Sequence, residues 1–169
     1  MKLVAKYDVE APVDFVFAQL ADFDGWERAA MRRGAEVNRT DKLRDAGPGM
    51  AWLTTFRYRN KDRSATIKLD SLEPTSSLAL TAMASMADGF LRIELLDLAA
   101  RRTRVEVKLD VKPKTLGARI YVQSLRLARA RVERGFAQRV AQLATEIEDR
   151  FRRPARRHRP DSAVNVIPD

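Results

Sequence analysis

The chemistry open to this chain is bounded first by the residues it lacks. Its 169 residues include no cysteine and a single histidine, His158, set among arginines in the last stretch. Thiolate nucleophiles, disulfides and cysteine metal sites are therefore excluded. A Ser/His/Asp triad has no histidine to use within residues 1–151, and no histidine–carboxylate cluster has metal-ligand spacing. There is neither a P-loop nor a dinucleotide-binding glycine pattern. Any proton transfer would fall to carboxylates, tyrosines or arginines. No catalytic residue, metal or cofactor is assigned, and the balance is against an enzyme.

Two groups of residues point instead to binding. On a helical wheel Arg129 falls inside an apolar stripe, between Leu125, Val132 and Phe136. An arginine facing a core must pair, reach water or meet an anion, because an unpaired buried charge is prohibitive. Its planar fork suits a carboxylate or phosphate head group on an otherwise apolar ligand. The plainer readings are snorkelling to the helix edge or a structural pair with a sheet carboxylate. The second group is Trp52, Thr54, Phe56 and Tyr58, which share one face of a strand. Turned inward they offer apolar surface and hydroxyls, the mixture of a ligand pocket; ordinary core packing uses the same residues. With Ile67, Ala82, Met86, Ile93 and Val107 from neighbouring strands, these are the candidate cavity-lining residues.

The elements that must position them follow from hydrophobic periodicity. Residues 2–10 alternate as a half-buried strand, with Leu3, Ala5, Tyr7 and Val9 on one face. Pro12 presets the first turn of a short helix carrying Val13, Val16, Phe17 and Leu20. A second short helix runs from Trp26 to Met31 and stops at Gly34. Residues 35–43 are a weak strand. Alternating strands follow over 50–59, 63–72, 78–87, 90–98 and 103–112, with Asp88-Gly89 as a hairpin signal. One-sided alternation with short turns predicts an antiparallel meander with one wet face. Residues 116–151 contain no proline and keep one apolar stripe: Val122, Leu125, Val132, Phe136, Val140, Leu143, Ile147 and Phe151. The spacing predicts one helix of about 54 Å at 1.5 Å per residue. Leu116, Ile120 and Leu127 lie nearly opposite that stripe. They mark a dimer contact, a cavity gate, a membrane-touching surface or packing under a loop.

The order of strand, Pro12-initiated helix pair, about six further strands and a long C-terminal helix resembles the START-like helix-grip superfamily. That group (SRPBCC) includes the polyketide cyclase/dehydrase and lipid-transport proteins. The motif carrying the resemblance is Val9-Glu10-Ala11-Pro12-Val13-Asp14-Phe15-Val16-Phe17, followed by Leu20-Ala21-Asp22-Phe23 and Trp26. It fixes a strand-to-helix corner and carries no chemistry. The resemblance implies an α+β fold in which a curved antiparallel sheet of six or seven strands grips the long helix around an apolar cavity. Members bind lipids, quinones, hormones or polyketides there, and some catalyse cyclisation. No universal catalytic residues exist to carry over.

The expectation is thus a helix-grip domain over 1–151 that binds or carries a hydrophobic small molecule. Residues 152–169, arginine- and proline-rich and then polar, read as a disordered tail. A cyclase/aromatase-type enzyme is one alternative. The other is a macromolecule binder, because the net charge is +9 and Arg119, Arg126, Arg129, Arg131, Arg134 and Arg139 are opposed over their stretch only by Glu133. With the tail, these arginines could hold RNA or an anionic membrane by charge alone. A solvated basic surface is the plain alternative. Lys6, Asp8 and Glu10 interrupt any signal-peptide core. No uncharged run reaches the roughly 20 residues of a membrane span. With the lack of cysteine, this reads as a cytoplasmic protein.

Overall fold

The computed structural model describes residues 1–58 and 60–153. The expected tail beyond residue 153, with His158, lies outside the described residues. Seven strands form one antiparallel sheet: β1 (Lys2–Val9), β2 (Glu36–Arg39), β3 (Ala51–Tyr58), β4 (Lys61–Glu73), β5 (Ser77–Ala84), β6 (Ala87–Ala99) and β7 (Arg102–Pro113). Their spatial order is β1-β7-β6-β5-β4-β3-β2. Four helices complete the fold: α1 (Val13–Leu20) and α2 (Phe23–Arg32) after β1, then α3 (Leu116–Leu127) and α4 (Arg129–Arg152) after β7. No helix of the described residues is long and apolar enough to cross a membrane.

Register explains the two faces of the sheet. Ala5 faces Val107, which faces Ile93, which faces Leu78, so apolar positions align across β1, β7, β6 and β5 on the concave side. Val4, Lys108 and Arg92 align the same way on the convex side. Helix α4 packs across β1 and against α1. There Val9, Val16, Leu20, Val105, Val140, Ala144 and Ile147 form the main buried cluster. Phe15 and Phe151 meet at 5.0 Å between ring centres and seal its edge. Under α2 a second cluster gathers Phe23, Met50, Trp52 and Leu69. The Asp22 side chain caps α2 by accepting from the Gly25 N–H at 2.9 Å. A Cβ at position 25 would collide with that carboxylate, so any larger residue there would displace the capping side chain.

Two expectations need correction. The Asp88-Gly89 pair does not turn the chain. It lies inside β6, and the β5–β6 hairpin turns at Ser85 and Met86. Strand pairing continues to Met83↔Asp88, and Gly89 sits opposite Ala82. The single long helix is also two helices. Ala128 leaves helical geometry, with φ −103° and ψ 27°, and its N–H bonds back to the Leu125 carbonyl at 3.1 Å. That three-residue closure ends α3, and the Ala128 carbonyl then accepts from Arg131 and Val132 to start α4. Nothing in Leu127-Ala128-Arg129 opposes a helix. The bend follows from packing, because α3 lies on β7 while α4 crosses β1. A straight rod of about 54 Å would overrun the 13-residue strands, which span about 44 Å.

Candidate ligand groove on the concave face

The concave face divides into a covered and an uncovered half. Beneath α4 and α2 its side chains are buried. Further along β4, β5, β6 and β7, the inward residues Ile67, Ala82, Ala84, Gly89, Leu91, Leu109 and Val111 are only half-buried. The cross-strand pairs Ala65↔Ala84 and Ala82↔Gly89 explain the difference. Four small residues side by side leave the sheet floor low where bulky side chains elsewhere fill the space. Phe56 on β3 is 38% exposed, Met86 in the β5–β6 turn is exposed, and Leu125, Val132 and Phe136 of the helices are half-buried.

The expected lining residues separate accordingly. Phe56, Ile67 and Ala82 are on the inward side of β3, β4 and β5, Met86 is exposed in the β5–β6 turn, and Leu125 and Val132 are half-buried on α3 and α4. Phe136 is half-buried and packs on the main cluster. Ile93 and Val107 belong to that cluster rather than to open space, because β6 and β7 run beneath Val140, Ala144 and Ile147 at those positions. Trp52 is buried against Phe23, with ring centres 5.6 Å apart, and its indole N–H donates to Glu27 Oε1 at 2.5 Å. Thr54 is buried, and its hydroxyl donates to the Ala65 carbonyl at 3.1 Å, so it is satisfied within the sheet. Tyr58 ends β3, and its side chain lies outside the described residues.

Arg129 is not where the helical wheel placed it. It sits in the first turn of α4 with its side chain 68% exposed and pairs with Glu133 at 2.7 Å. The break at Ala128 resets the rotation of the chain, so a wheel drawn continuously through residue 128 misplaces it. Two arginines of the strands lie on the inward side: Arg39, opposite Trp52 and paired with Asp41, and Arg63. Arg63 faces Phe56 across the β3–β4 ladder and shares the inward side of β4 with Ala65 and Ile67. Its Nε is buried and is the buried side-chain nitrogen or oxygen without a hydrogen-bond partner among the described residues. A buried donor left unmade is costly and calls for an explanation. The signal in sequence was an arginine at an inward position of an alternating strand.

The convex face is chemically different. Lys6–Glu106 (2.9 Å), Lys108–Glu106 (3.2 Å), Lys108–Glu94 (2.6 Å) and Arg92–Glu94 (2.7 Å) form a chain of ion pairs across β1, β7 and β6. Lys108 and then Arg92 hold the Glu94 carboxyl below its ordinary value; Lys6 and then Lys108 do so for Glu106. Asp8, gripped first by Arg104 and then by Arg102, is lowered to about 2. A depression of about 400 Å³ also opens on this side, floored by Val4, Ala79 and Thr81 and edged by Phe90, Arg92 and Lys108. Its Arg92 and Lys108 are already paired with carboxylates. Among the described residues no group of three or more histidine, aspartate or glutamate side chains is placed to hold a metal ion.

The architecture matches solved structures over nearly its whole length. The Zhui aromatase/cyclase from Streptomyces sp. R1128 superposes with a TM-score of 0.66 at 19% identity, covering 90% of this chain and 96% of that one. The chain has the START-like helix-grip fold. Norcoclaurine synthase from Thalictrum flavum gives 0.64 at 10% identity, over 92% of this chain and 95% of that one. A START superfamily protein from Mycobacterium smegmatis gives 0.54 at 12%, over 82% and 98%. No protein-family model matches the sequence, and no curated protein matches it. The helix-grip likeness therefore rests on the path of the chain: a seven-stranded sheet, two helices after the first strand and a long terminal helix.

Proposed function

We propose that this helix-grip domain binds or carries a hydrophobic small molecule, of lipid, quinone or polyketide-like character, in the uncovered half of its concave face. The observation that carries the reading is the run of small, half-buried residues Ala82, Ala84 and Gly89 on the inward side of β5 and β6, beside the buried Ala65. Ligand pockets are concave, mostly apolar and supplied with a few polar groups. Burying an apolar chain there would remove water from both surfaces at about 25 cal/mol per Å². Arg63 supplies the polar group: its guanidinium, whose buried Nε–H has no partner, suits a carboxylate or phosphate on the ligand. This takes over the role that the helical wheel gave to Arg129. The printed activity of the Zhui aromatase/cyclase belongs to that protein and at this identity lends only its fold.

Native mass spectrometry of the full chain as purified, followed by titration with a fluorescent fatty acid, tests the reading. A bound small molecule, displaced by the probe, is the expected result. Arg63→Gln weakens the fatty acid about tenfold but leaves the matching fatty alcohol unchanged, while Arg129→Leu changes neither. Neither co-purified mass nor probe binding would overturn the proposal. Equal losses of acid and alcohol in Arg63→Gln would remove the anion from it.

A further inference from the structure

Helix α3 presents to solvent a surface that a water-facing helix does not need. It is held on β7 by Ala118 and Val122, which are buried, and Thr115 caps it by accepting from the Ala118 N–H at 3.2 Å. On its other side Leu116, Ile120 and Leu127 are 73%, 64% and 90% exposed. At 100° per residue these three lie within about 40° of one another, forming one outward apolar line. Arg119 and Arg126 border that line and are exposed. Between residues 116 and 132 there are four arginines and no aspartate or glutamate. Arg129 pairs with Glu133, whereas Arg119, Arg126 and Arg131 have no ion-pair partner among the described residues. Arg119, in the first turn of α3, opposes the helix dipole and does not serve the stability of the helix; Arg126, in its last turn, is compatible with the dipole.

We propose that this face of α3 docks on a bilayer surface rich in anionic phospholipid. Leu116, Ile120 and Leu127 enter the boundary between head groups and acyl chains, and Arg119 and Arg126 meet the phosphates. Aliphatic residues flanked by arginine on one helix face are the composition of an interfacial helix. A second copy of the chain fits poorly, because pairing this face with itself would set arginines against arginines. A nucleic acid fits poorly as well, because the line is aliphatic and offers no ring for a base to stack on. The helix is 12 residues long, about 18 Å. Its contact is therefore small, and docking requires both the apolar and the charge contribution. The proposal stands on α3 alone and does not depend on the groove being a ligand site.

Flotation of the full chain with vesicles tests it. The chain binds vesicles of phosphatidylcholine containing about a quarter phosphatidylglycerol, not phosphatidylcholine alone, and is released by high salt. Replacing the apolar line by Leu116→Gln, Ile120→Gln and Leu127→Gln lowers the vesicle partition coefficient about 100-fold. Arg119→Gln with Arg126→Gln lowers it about 30-fold. Both variants keep the circular dichroism spectrum of the parent and melt within a few degrees of it, because the replaced side chains are largely exposed. Four results overturn the proposal. The parent ignores anionic vesicles, or the triple variant binds them as well as the parent does. Alternatively, the parent is a dimer that the triple variant dissolves, or RNA retention rather than vesicle binding is what the substitutions abolish.

Discussion

One sheet face carries two regions, on neighbouring strands, that are finished differently. Where α4 crosses β1, the inward residues are Val9, Val105, Val107 and Ile93, and the helix answers with Val140, Ala144 and Ile147. Large side chains from both layers interlock, and water is excluded. Farther across the sheet, β4, β5 and the start of β6 present Ala65, Ala82, Ala84 and Gly89, and no helix packs closely on β4 or β5. Both regions are apolar. They differ in side-chain volume and in whether a helix lies directly overhead. Apolarity alone therefore does not distinguish a core from a binding surface; volume and cover do.

The largest expected effect breaks the covered half. Ile147→Ala removes a buried side chain from the α4 seam and should cost about 3 kcal/mol, whereas Ile67→Ala, half-buried beside the open floor, should cost about 1 kcal/mol. Urea unfolding of both variants checks the ratio; equal costs would mean the two halves are packed alike. Filling the open half gives the converse. Ala82→Phe, placed opposite Gly89, should abolish binding of the fluorescent fatty acid while lowering stability by less than about 1 kcal/mol. A loss of several kcal/mol would show that the floor has no room. The smallest effect lies on the convex side. Arg104 and Arg102 hold Asp8 down from 3.8 to about 2. A lowered carboxyl stabilises the fold above its unfolded value, and that contribution fades as pH falls from about 3.8 through about 2. Asp8→Asn should be slightly less stable than the parent near neutral pH and should lose less on acidification through that window. Acid titrations followed by circular dichroism would show parallel curves if the pair contributes nothing.

Much of this arrangement is written in local pattern. Alternation in 103–112 and the proline corner at Pro12 define their elements without help from the rest of the chain, because strand and helix periods are local properties. Turns were less legible. Asp88-Gly89 has the composition of a hairpin, yet β5 and β6 pair through it, since the ladder with Ala82 and Met83 outweighs a two-residue preference. The site was less legible still. Arg129 looked inward only on an unbroken wheel, while Arg63 was visible as an inward arginine but not as one whose buried Nε–H has no partner.

The sequence by itself determined the seven-strand and terminal-helix order, the inward and outward faces of the central strands, and the chemistry that lacks thiols and offers a single histidine. These depend on residue type and on spacing within one segment. Only the tertiary structure decided that the helix breaks at Ala128, that half of the concave face stays uncovered, that Arg63 rather than Arg129 faces inward, and that the Leu116–Leu127 line faces water. Each of these depends on where a second element lies, and no pattern within a single segment records the position of its neighbour.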